Sequence, residues 1–182
     1  MTVYKIAIAG ASSLLGKELK DVLSESPLAS ANFALLDEED ALGQVDQVGD
    51  EVTFIQAIDA DAFDRADFTF FCGTENLTRK HWRQALRAGS TVLDLSGALD
   101  QETGVLVRAP WLGIEESAVD LFTPAVVPAH PAVIPLALLL GRLQLAAAVR
   151  FAAAGIEKKW QSKRSSISPR FTTSWQELLV IR

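Results

Sequence analysis

Short apolar runs alternate with amphipathic and polar stretches over the first 150 residues. Runs that are apolar at successive positions and rich in β-branched or aromatic residues are typical of strands buried in a parallel sheet. Polar stretches that contain glycine, such as residues 38–50, indicate loops. The pattern predicts strands at residues 3–9, 33–36, 52–55, 68–72, 91–95, 105–107 and 121–127.

Helical segments separate several of these strands. The first follows the glycine-ended strand, has an apolar face, and has Ser12 or Ser13 as its N-cap. The residues predicted on that face are Leu15, Leu19, Val22 and Leu23. A second helix is predicted at residues 77–88, ended by Gly89, and a third at residues 132–149, where an almost wholly apolar composition indicates burial. Shorter helical segments are predicted at residues 60–65, 114–118 and 172–181.

Strands that alternate with helices imply βαβ units, right-handed crossovers and a parallel sheet. We therefore predict an α/β fold, with a Rossmann-like, doubly wound, mostly parallel sheet in a single domain with a C-terminal extension. We place the boundary between the domain and the extension near residue 150, where the net charge of the chain changes from negative to positive. Residues 1–150 hold 11 Lys and Arg against 21 Asp and Glu, and residues 151–182, the basic tail, hold 6 against 2.

The composition excludes several function classes. A net charge of −6 argues against nucleic-acid binding, because phosphate backbones select basic faces. The uncharged stretch 121–141 contains four prolines, which break a continuous membrane-spanning helix, and the N-terminus lacks a signal-peptide pattern. The single cysteine, Cys72, excludes an internal disulfide. We expect a cytoplasmic protein that binds neither membrane nor nucleic acid.

A glycine turn joins the first strand to the first helix. The segment reads KIAIAGASSLLG, from Lys5 to Gly16. Gly10 permits a sharp turn and Gly16 a close helix–strand approach, so that the helix N-terminus can present N–H groups to a pyrophosphate. The spacing between the glycines departs from G-x-G-x-x-G, so the general dinucleotide fingerprint is only partly met. A strand–turn–helix without a ligand is the alternative.

Four stretches, taken in order, resemble a known family. They are Ile6–Gly16, Ala34–Leu36 followed by Gly43, Phe70–Gly73, and AGSTVLDLSGAL at residues 88–99. From about residue 3 to about residue 147 the chain resembles the N-terminal cofactor domain of aspartate-semialdehyde dehydrogenases, especially their divergent, USG-1-like branch. The resemblance implies a domain that binds NADP or NAD, in enzymes that reduce an acyl phosphate to a semialdehyde through a cysteine thioester.

The catalytic residues that this resemblance implies are missing. The family's cysteine falls in the segment Val127–Pro131, where no residue carries a thiol, and its substrate-binding arginine falls on Asp100. The family's P-E-V-N-like segment falls on Pro110–Gly113, without its polar groups. The second half of the family's chain has no recognisable counterpart in residues 151–182, and a naturally short protein and a truncated reading frame both stay open. We therefore predict no catalytic residues.

The resemblance also implies a cofactor site. Its predicted residues are Gly10, Ser12, Ser13, Leu14, Leu15, Gly16, Asp37 and Gly73. Four carboxylates, at residues 37–40, follow the second strand where NADP users of the family hold the 2′-phosphate, and their charge opposes such a group. Asp37 is instead placed to bond the ribose hydroxyls of NAD. We predict NAD rather than NADP, with a merely solvated acidic turn as the alternative.

Five other side chains are discounted. Cys72 is predicted to be an inert thiol in the core or pocket wall, and His81 a surface or half-buried residue. A hydrolase-like trio of Asp94, Ser96 and His130 lacks the G-x-S-x-G elbow. Two histidines and one cysteine without ligand spacing predict no metal site.

Three functions remain for the chain. The first is a non-catalytic relative of the dehydrogenases that binds a dinucleotide. The second is an oxidoreductase for an aldehyde or acyl phosphate that acts with a partner subunit. The third is an interaction protein that dimerises through its apolar helix and tail. Because an exposed apolar helix is unfavourable without cover, we expect a homodimer or a partner subunit.

Overall fold

The structure of the protein, a computed structural model, describes most of the first 131 residues and three segments beyond them. The described ranges are residues 3–38, 41–49, 51–59, 61–109, 125–131, 133–146, 152–156 and 177–181. The chain divides into two compact units, residues 1–130 and residues 131–182. The predicted boundary near residue 150 lies outside the described residues and stays a prediction.

The N-terminal unit contains nine strands and two helices among its described residues. They are β1 (Lys5–Ala9), α1 (Leu14–Ser24), β2 (Asn32–Asp37), β3 (Val45–Val48), β4 (Glu51–Phe54), β5 (Gln56–Ala57), β6 (Phe68–Phe71), α2 (Glu75–Arg87), β7 (Thr91–Asp94), β8 (Leu106–Arg108) and β9 (Ala125–Pro128). The C-terminal unit contains α3 (Val133–Ala146), β10 (Ala152–Ile156) and β11 (Glu177–Ile181).

Seven strands of the N-terminal unit form one sheet in the order β5-β2-β1-β6-β7-β9-β8. Every neighbouring pair in it is parallel, so the predicted doubly wound α/β fold is confirmed. β1 is the third strand and lies inside the sheet, where Ile6 pairs with Phe33 of β2 on one side and Phe68 of β6 on the other. The strand order reverses between β1 and β6, and α/β sheets bind ligands at such a switch point.

The two faces of the sheet carry separate cores because successive strand residues point to opposite sides. Ile6 and Ile8 belong to the cluster that includes Leu23 of α1, whereas Ala7 and Ala9 belong to the cluster that includes Leu77 of α2. The two helices therefore cover opposite faces, as a right-handed crossover in each direction from the centre requires. Both helices lead away from the carboxyl ends of central strands.

Helix α1 differs from its predicted apolar face. Leu23 is buried as predicted, but Leu15 and Val22 are 41% and 64% exposed, and Lys20 is only 3% exposed. Lys20 forms an ion pair with Asp46 of β3, which supplies the opposite charge that a buried ammonium requires. The helix therefore turns residues 16, 20 and 23 inward, a stripe that apolar periodicity does not show.

Residues 45–48, predicted as part of a loop, form the strand β3. It pairs antiparallel with β4, so that Val45 lies opposite Phe54 and Gln47 opposite Val52. One face of this hairpin is exposed, with Val45, Val52 and Phe54 each 59–63% accessible. The loop prediction was wrong because polar Asp46 and Gln47 lie inside the strand, where Asp46 pairs with Lys20.

The C-terminal unit confirms one predicted helix and corrects another. Of the helix predicted at residues 132–149, the described residues 133–146 form α3. Its predicted burial is wrong, since Leu138, Leu139, Leu143 and Leu145 are 43–82% exposed. Residues 177–181, predicted as the end of a terminal helix, form β11, which pairs antiparallel with β10 from Ala152↔Ile181 to Ile156↔Glu177. The partner strand is distant in sequence, so local periodicity does not reveal the pairing. The segments 114–118, 121–124 and 172–176 lie outside the described residues.

Candidate dinucleotide site at the sheet switch point

Gly10 forms a tight turn directly after β1. Its φ of +85° lies in the region that favours glycine. The N–H groups of Gly10 and Ala11 both donate to the Leu36 carbonyl, at 2.9 and 3.2 Å. A Cβ on Gly10 would overlap the backbone of Gly73, which follows β6. The turn is therefore held against the ends of both neighbouring strands.

Ser13 joins this turn to helix α1 and to the end of β6. Its hydroxyl accepts from the Gly16 N–H at 2.9 Å and donates to the Cys72 carbonyl at 2.8 Å. Ser13, not Ser12, is thus the N-cap of α1. A Cβ on Gly16 would lie 2.5 Å from the Gly10 carbonyl oxygen, so only glycine permits this approach of helix and turn.

The first two residues of α1 present N–H groups without an acceptor among the described residues. Gly16 is capped by Ser13, and Lys17 donates to the Ser13 carbonyl, which leaves the N–H groups of Leu14 and Leu15. No acidic side chain lies in the first turn of this helix. Unsatisfied N–H groups and the positive end of the helix dipole together favour an anion at this position.

Asp37 ends β2 beside the same turn and is 9% exposed. Its Oδ2 accepts from the Ser12 N–H at 2.8 Å, and its Oδ1 accepts from the Glu38 N–H at 2.9 Å. An ionised carboxylate offers about two acceptor positions on each oxygen, so each retains capacity for one more donor. Of the acidic turn, residues 39 and 40 lie outside the described residues.

The eight residues predicted as a cofactor site come together at the carboxyl ends of β1, β2 and β6. The glycine turn contacts Gly73, Ser12 bonds Asp37, and Leu14 and Leu15 begin the helix that Gly16 brings close. They offer two unoccupied backbone donors and a carboxylate with remaining lone pairs. This donor and acceptor set suits a pyrophosphate followed by a ribose diol.

A cavity of about 430 Å³ opens beside Asp37. It is lined by Asp37, Glu38, Leu42, Ala57, Ile58, Lys80 and His81. His81 is 8% exposed, which corrects its prediction as a surface or half-buried residue. The helix brings it inward beside Trp82 and Ala85, which are also buried. Sequence reasoning missed this wall because its members come from β5 and the middle of α2, far apart in the chain.

Cys72 is buried with 2% exposure, as predicted for a core or pocket-wall thiol. Burial, together with the Asp94 charge and against a partial opposing effect of Lys20, raises the pKa of Cys72 to about 12. The nucleophilic form of cysteine is the thiolate. Cys72 is therefore protonated over the physiological range and is not an activated nucleophile.

Asp94 binds Ser96 directly. Its Oδ1 accepts from the Ser96 N–H at 2.8 Å and the Ser96 hydroxyl at 2.6 Å, and its Oδ2 accepts from the Leu99 N–H at 2.9 Å. The acid contacts the serine without an intervening histidine, unlike a Ser-His-Asp triad. This network fixes the loop after β7.

Asp100 is exposed, and the described residues contain no group of three or more potential metal ligands.

Comparison with known families agrees with this arrangement. Residues 5–134 match the family model described as "Semialdehyde dehydrogenase, NAD binding domain". The chain belongs to this family. Residues 146–181 match a second model, described only as a domain of unknown function, DUF4113.

Two curated proteins and one solved structure are similar to the chain. A USG-1 protein homolog from Pseudomonas aeruginosa is 29% identical over 131 residues, which cover 69% of this chain and 38% of that protein. An aspartate-semialdehyde dehydrogenase from Rickettsia conorii is 25% identical over 139 residues, covering 75% and 40%. The crystal structure of aspartate semialdehyde dehydrogenase II complexed with ASA from Vibrio cholerae has a TM-score of 0.70 at 18% identity, covering 81% and 49%.

The resemblance to aspartate-semialdehyde dehydrogenases and their USG-1-like branch is thereby confirmed. The chain spans about two fifths of the length of the curated relatives it matches. The described part of the chain has no helix long and apolar enough to cross a membrane.

Proposed function

We propose that the N-terminal unit binds a nicotinamide dinucleotide and does not reduce a semialdehyde precursor by itself. The observation that carries the proposal is the pair of free N–H groups on Leu14 and Leu15, placed at the switch point beside the Asp37 carboxylate. The family to which the chain belongs is named for NAD binding. A bound nicotinamide ring would supply hydride transfer.

Different residues of this chain contact different parts of the proposed ligand. Leu14 and Leu15 donate to the pyrophosphate, and Gly10 and Gly73 keep side chains out of its path. Asp37 accepts from the ribose hydroxyls through its remaining lone pairs, and the cavity beside it receives the adenine. A carboxylate at this position repels a 2′-phosphate, so the preferred ligand is NAD rather than NADP.

The proposed lack of catalysis rests on the lack of a reactive thiolate among the described residues. The family's chemistry needs a thiolate, whereas the segment 127–131 has none, and Cys72 is buried and protonated. An exposed acid, Asp100, stands where the resemblance implies an arginine for an anionic substrate. The chain therefore holds the cofactor without forming a thioester.

A second candidate is an oxidoreductase completed by a partner subunit. It is favoured by the family match, with a thiolate from another chain in place of the one missing at residues 127–131. Its test is a thioester trapped from an acyl phosphate in a copurified complex. The third candidate is an interaction protein of the cytoplasm that forms a homodimer through α3 and the tail. Sedimentation of the intact chain as a monomer would exclude that dimer.

Leu14→Pro tests the proposed site because it removes one N–H donor and preserves the helix. Proline is tolerated in the first turn of a helix, and Ser13 before it already has the extended conformation that proline requires, with ψ of 159°. We expect the Kd for NAD, measured by calorimetry, to rise about tenfold, as expected for a lost charge-assisted hydrogen bond.

Leu14→Ala is the matched control. It also removes the side chain, which is 77% exposed, but keeps the N–H. NAD affinity close to wild type is expected for this variant. Equal affinities for Leu14→Pro and Leu14→Ala, at equal thermal stability, would show that the helix N-terminus does not hold the ligand.

A further inference from the structure

The cavity beside Asp37 has one acidic and one basic wall. Asp37 and Glu38 line it from the end of β2, and Lys80 and His81 line it from the middle of α2. Among the described residues, neither the Glu38 carboxylate nor the Lys80 ammonium has an ion-pair or hydrogen-bond partner. Both charges therefore remain available to a ligand in the cavity.

The hydrogen bonds of Gln84 determine which nitrogen of neutral His81 carries the proton. The Gln84 amide N–H donates to the Asp59 carbonyl, so the amide oxygen faces the histidine. That oxygen lies 3.2 Å from His81 Nδ1 and must accept, so Nδ1 is the protonated nitrogen. Nε2 has no partner among the described residues and carries a lone pair. It can donate to a phosphate only after it gains a proton.

We propose that Lys80 and His81 determine how this site discriminates between NAD and NADP, and that the discrimination weakens as His81 becomes protonated. The proposal rests on the proposed dinucleotide binding. With neutral His81 the lining residues that the structure describes carry two carboxylates against one ammonium, which disfavours a 2′-phosphate. With an imidazolium the opposing charges balance, and Nε2 becomes a donor to the phosphate oxygens.

The charged groups that line the cavity with His81 are Asp37, which ends β2, Glu38, which follows it, and Lys80, its neighbour on α2. From the segment after β5, the Asp59 backbone carbonyl, an uncharged group, acts on His81 through neutral Gln84. Imidazole is the side chain whose charge ordinarily changes between pH 8 and pH 5. Lys80 sets a constant attraction for the phosphate, and His81 adds a pH-dependent one.

The test is the ratio of the Kd for NADP to the Kd for NAD, measured by calorimetry at pH 8 and pH 6 on the full chain. The 2′-phosphate itself gains a proton in this range, which also changes the ratio. His81→Gln lacks the imidazole, so the pH dependence of its ratio measures the contribution of the phosphate. We expect the wild-type ratio to fall about tenfold more on acidification than the His81→Gln ratio, as one added charge at contact distance predicts.

Lys80 is exposed, so Lys80→Met is expected to fold normally and to raise the ratio at both pH values.

Arg87→Gln is the charge-matched control, since Arg87 lies exposed in the last turn of the same helix and outside the cavity. It is expected to leave the ratio unchanged. If NAD binds but the wild-type and His81→Gln ratios change equally with pH, or Lys80→Met behaves as Arg87→Gln, the inference is wrong. If neither dinucleotide binds, the proposed function fails instead.

Discussion

At the scale of single residues, the site depends on backbone groups more than on side chains. Gly10 and Gly16 act by the absence of a Cβ, and Leu14 and Leu15 act by their N–H groups. Ser13 uses its one hydroxyl to cap the helix and to hold the end of β6. Such a site depends on a conformation, so changes that preserve backbone geometry are the informative ones.

Cys72 gives a residue-scale prediction about stability and pH. Burial raises the pKa of Cys72 to about 12 from a usual value of 9.0, so between these values the unfolded chain releases a proton that the folded chain keeps. The free energy of unfolding therefore falls as pH rises above about 9, by about 1 kcal/mol per pH unit. Urea denaturation between pH 8 and pH 11 measures this slope.

Cys72→Ala is the control for that slope. It lowers stability at every pH through a small cavity, but it removes the titrating group, so its free energy of unfolding should depend less on pH above 9. Parallel curves for the two proteins would contradict a protonated, buried thiol. The same burial explains why Cys72 was correctly discounted from sequence, since it ends a continuous apolar strand.

At the scale of elements, the ion pair of Lys20 with Asp46 joins helix α1 to the β3–β4 hairpin. Removing one partner of a buried pair leaves an uncompensated charge. We expect Asp46→Asn to lower the free energy of unfolding by about 1–3 kcal/mol, since the Asp46 side chain is 24% exposed and Lys20 only 3%. Urea denaturation at neutral pH provides the measurement.

Two further variants separate charge from packing. Lys20→Met keeps the apolar stem and removes the buried charge, so a smaller loss than that of Asp46→Asn is expected. Asp21→Asn removes an exposed acid on the same helix and should change stability by less than about 0.5 kcal/mol. A loss for Lys20→Met as large as that for Asp46→Asn would show that the unpaired buried ammonium is not the cause of the loss.

The central strands were predictable because β1 is buried on both faces, and β6 and β7 are buried on one face and half-buried on the other, so that all three read as mainly apolar runs. β3 was not, because its inward residue Asp46 is charged and gains its stability from Lys20. β11 was not, because its partner β10 lies about twenty residues earlier in the sequence. Periodicity records the average environment of a segment and does not record a specific partner.

The candidate site was predictable to a similar degree. The glycine turn, the helix cap and Asp37 follow one another near strand ends, so local sequence indicates that they meet at one edge of the sheet. The basic wall of the cavity was not predictable. Lys80 and His81 line the same cavity as Asp37 because α2 packs on the sheet face that includes Leu36 of β2, and this placement needs the full topology.

At the scale of the whole molecule, the chain combines two units that match different family models. Residues 5–134 match the NAD-binding family, and residues 146–181 match a model without an assigned function. The first match accounts for the fold and for the proposed ligand. The missing thiol and Asp100 account for the proposed loss of chemistry.

Titration of the intact chain with NAD at pH 8 tests most directly whether this site holds a dinucleotide. Calorimetry should show saturable binding to one site per chain, with a Kd in the millimolar range or tighter. Adding aspartate semialdehyde and phosphate to the same mixture should yield no NADH. An absence of binding heat up to millimolar NAD, together with no shift in melting temperature, would contradict the account.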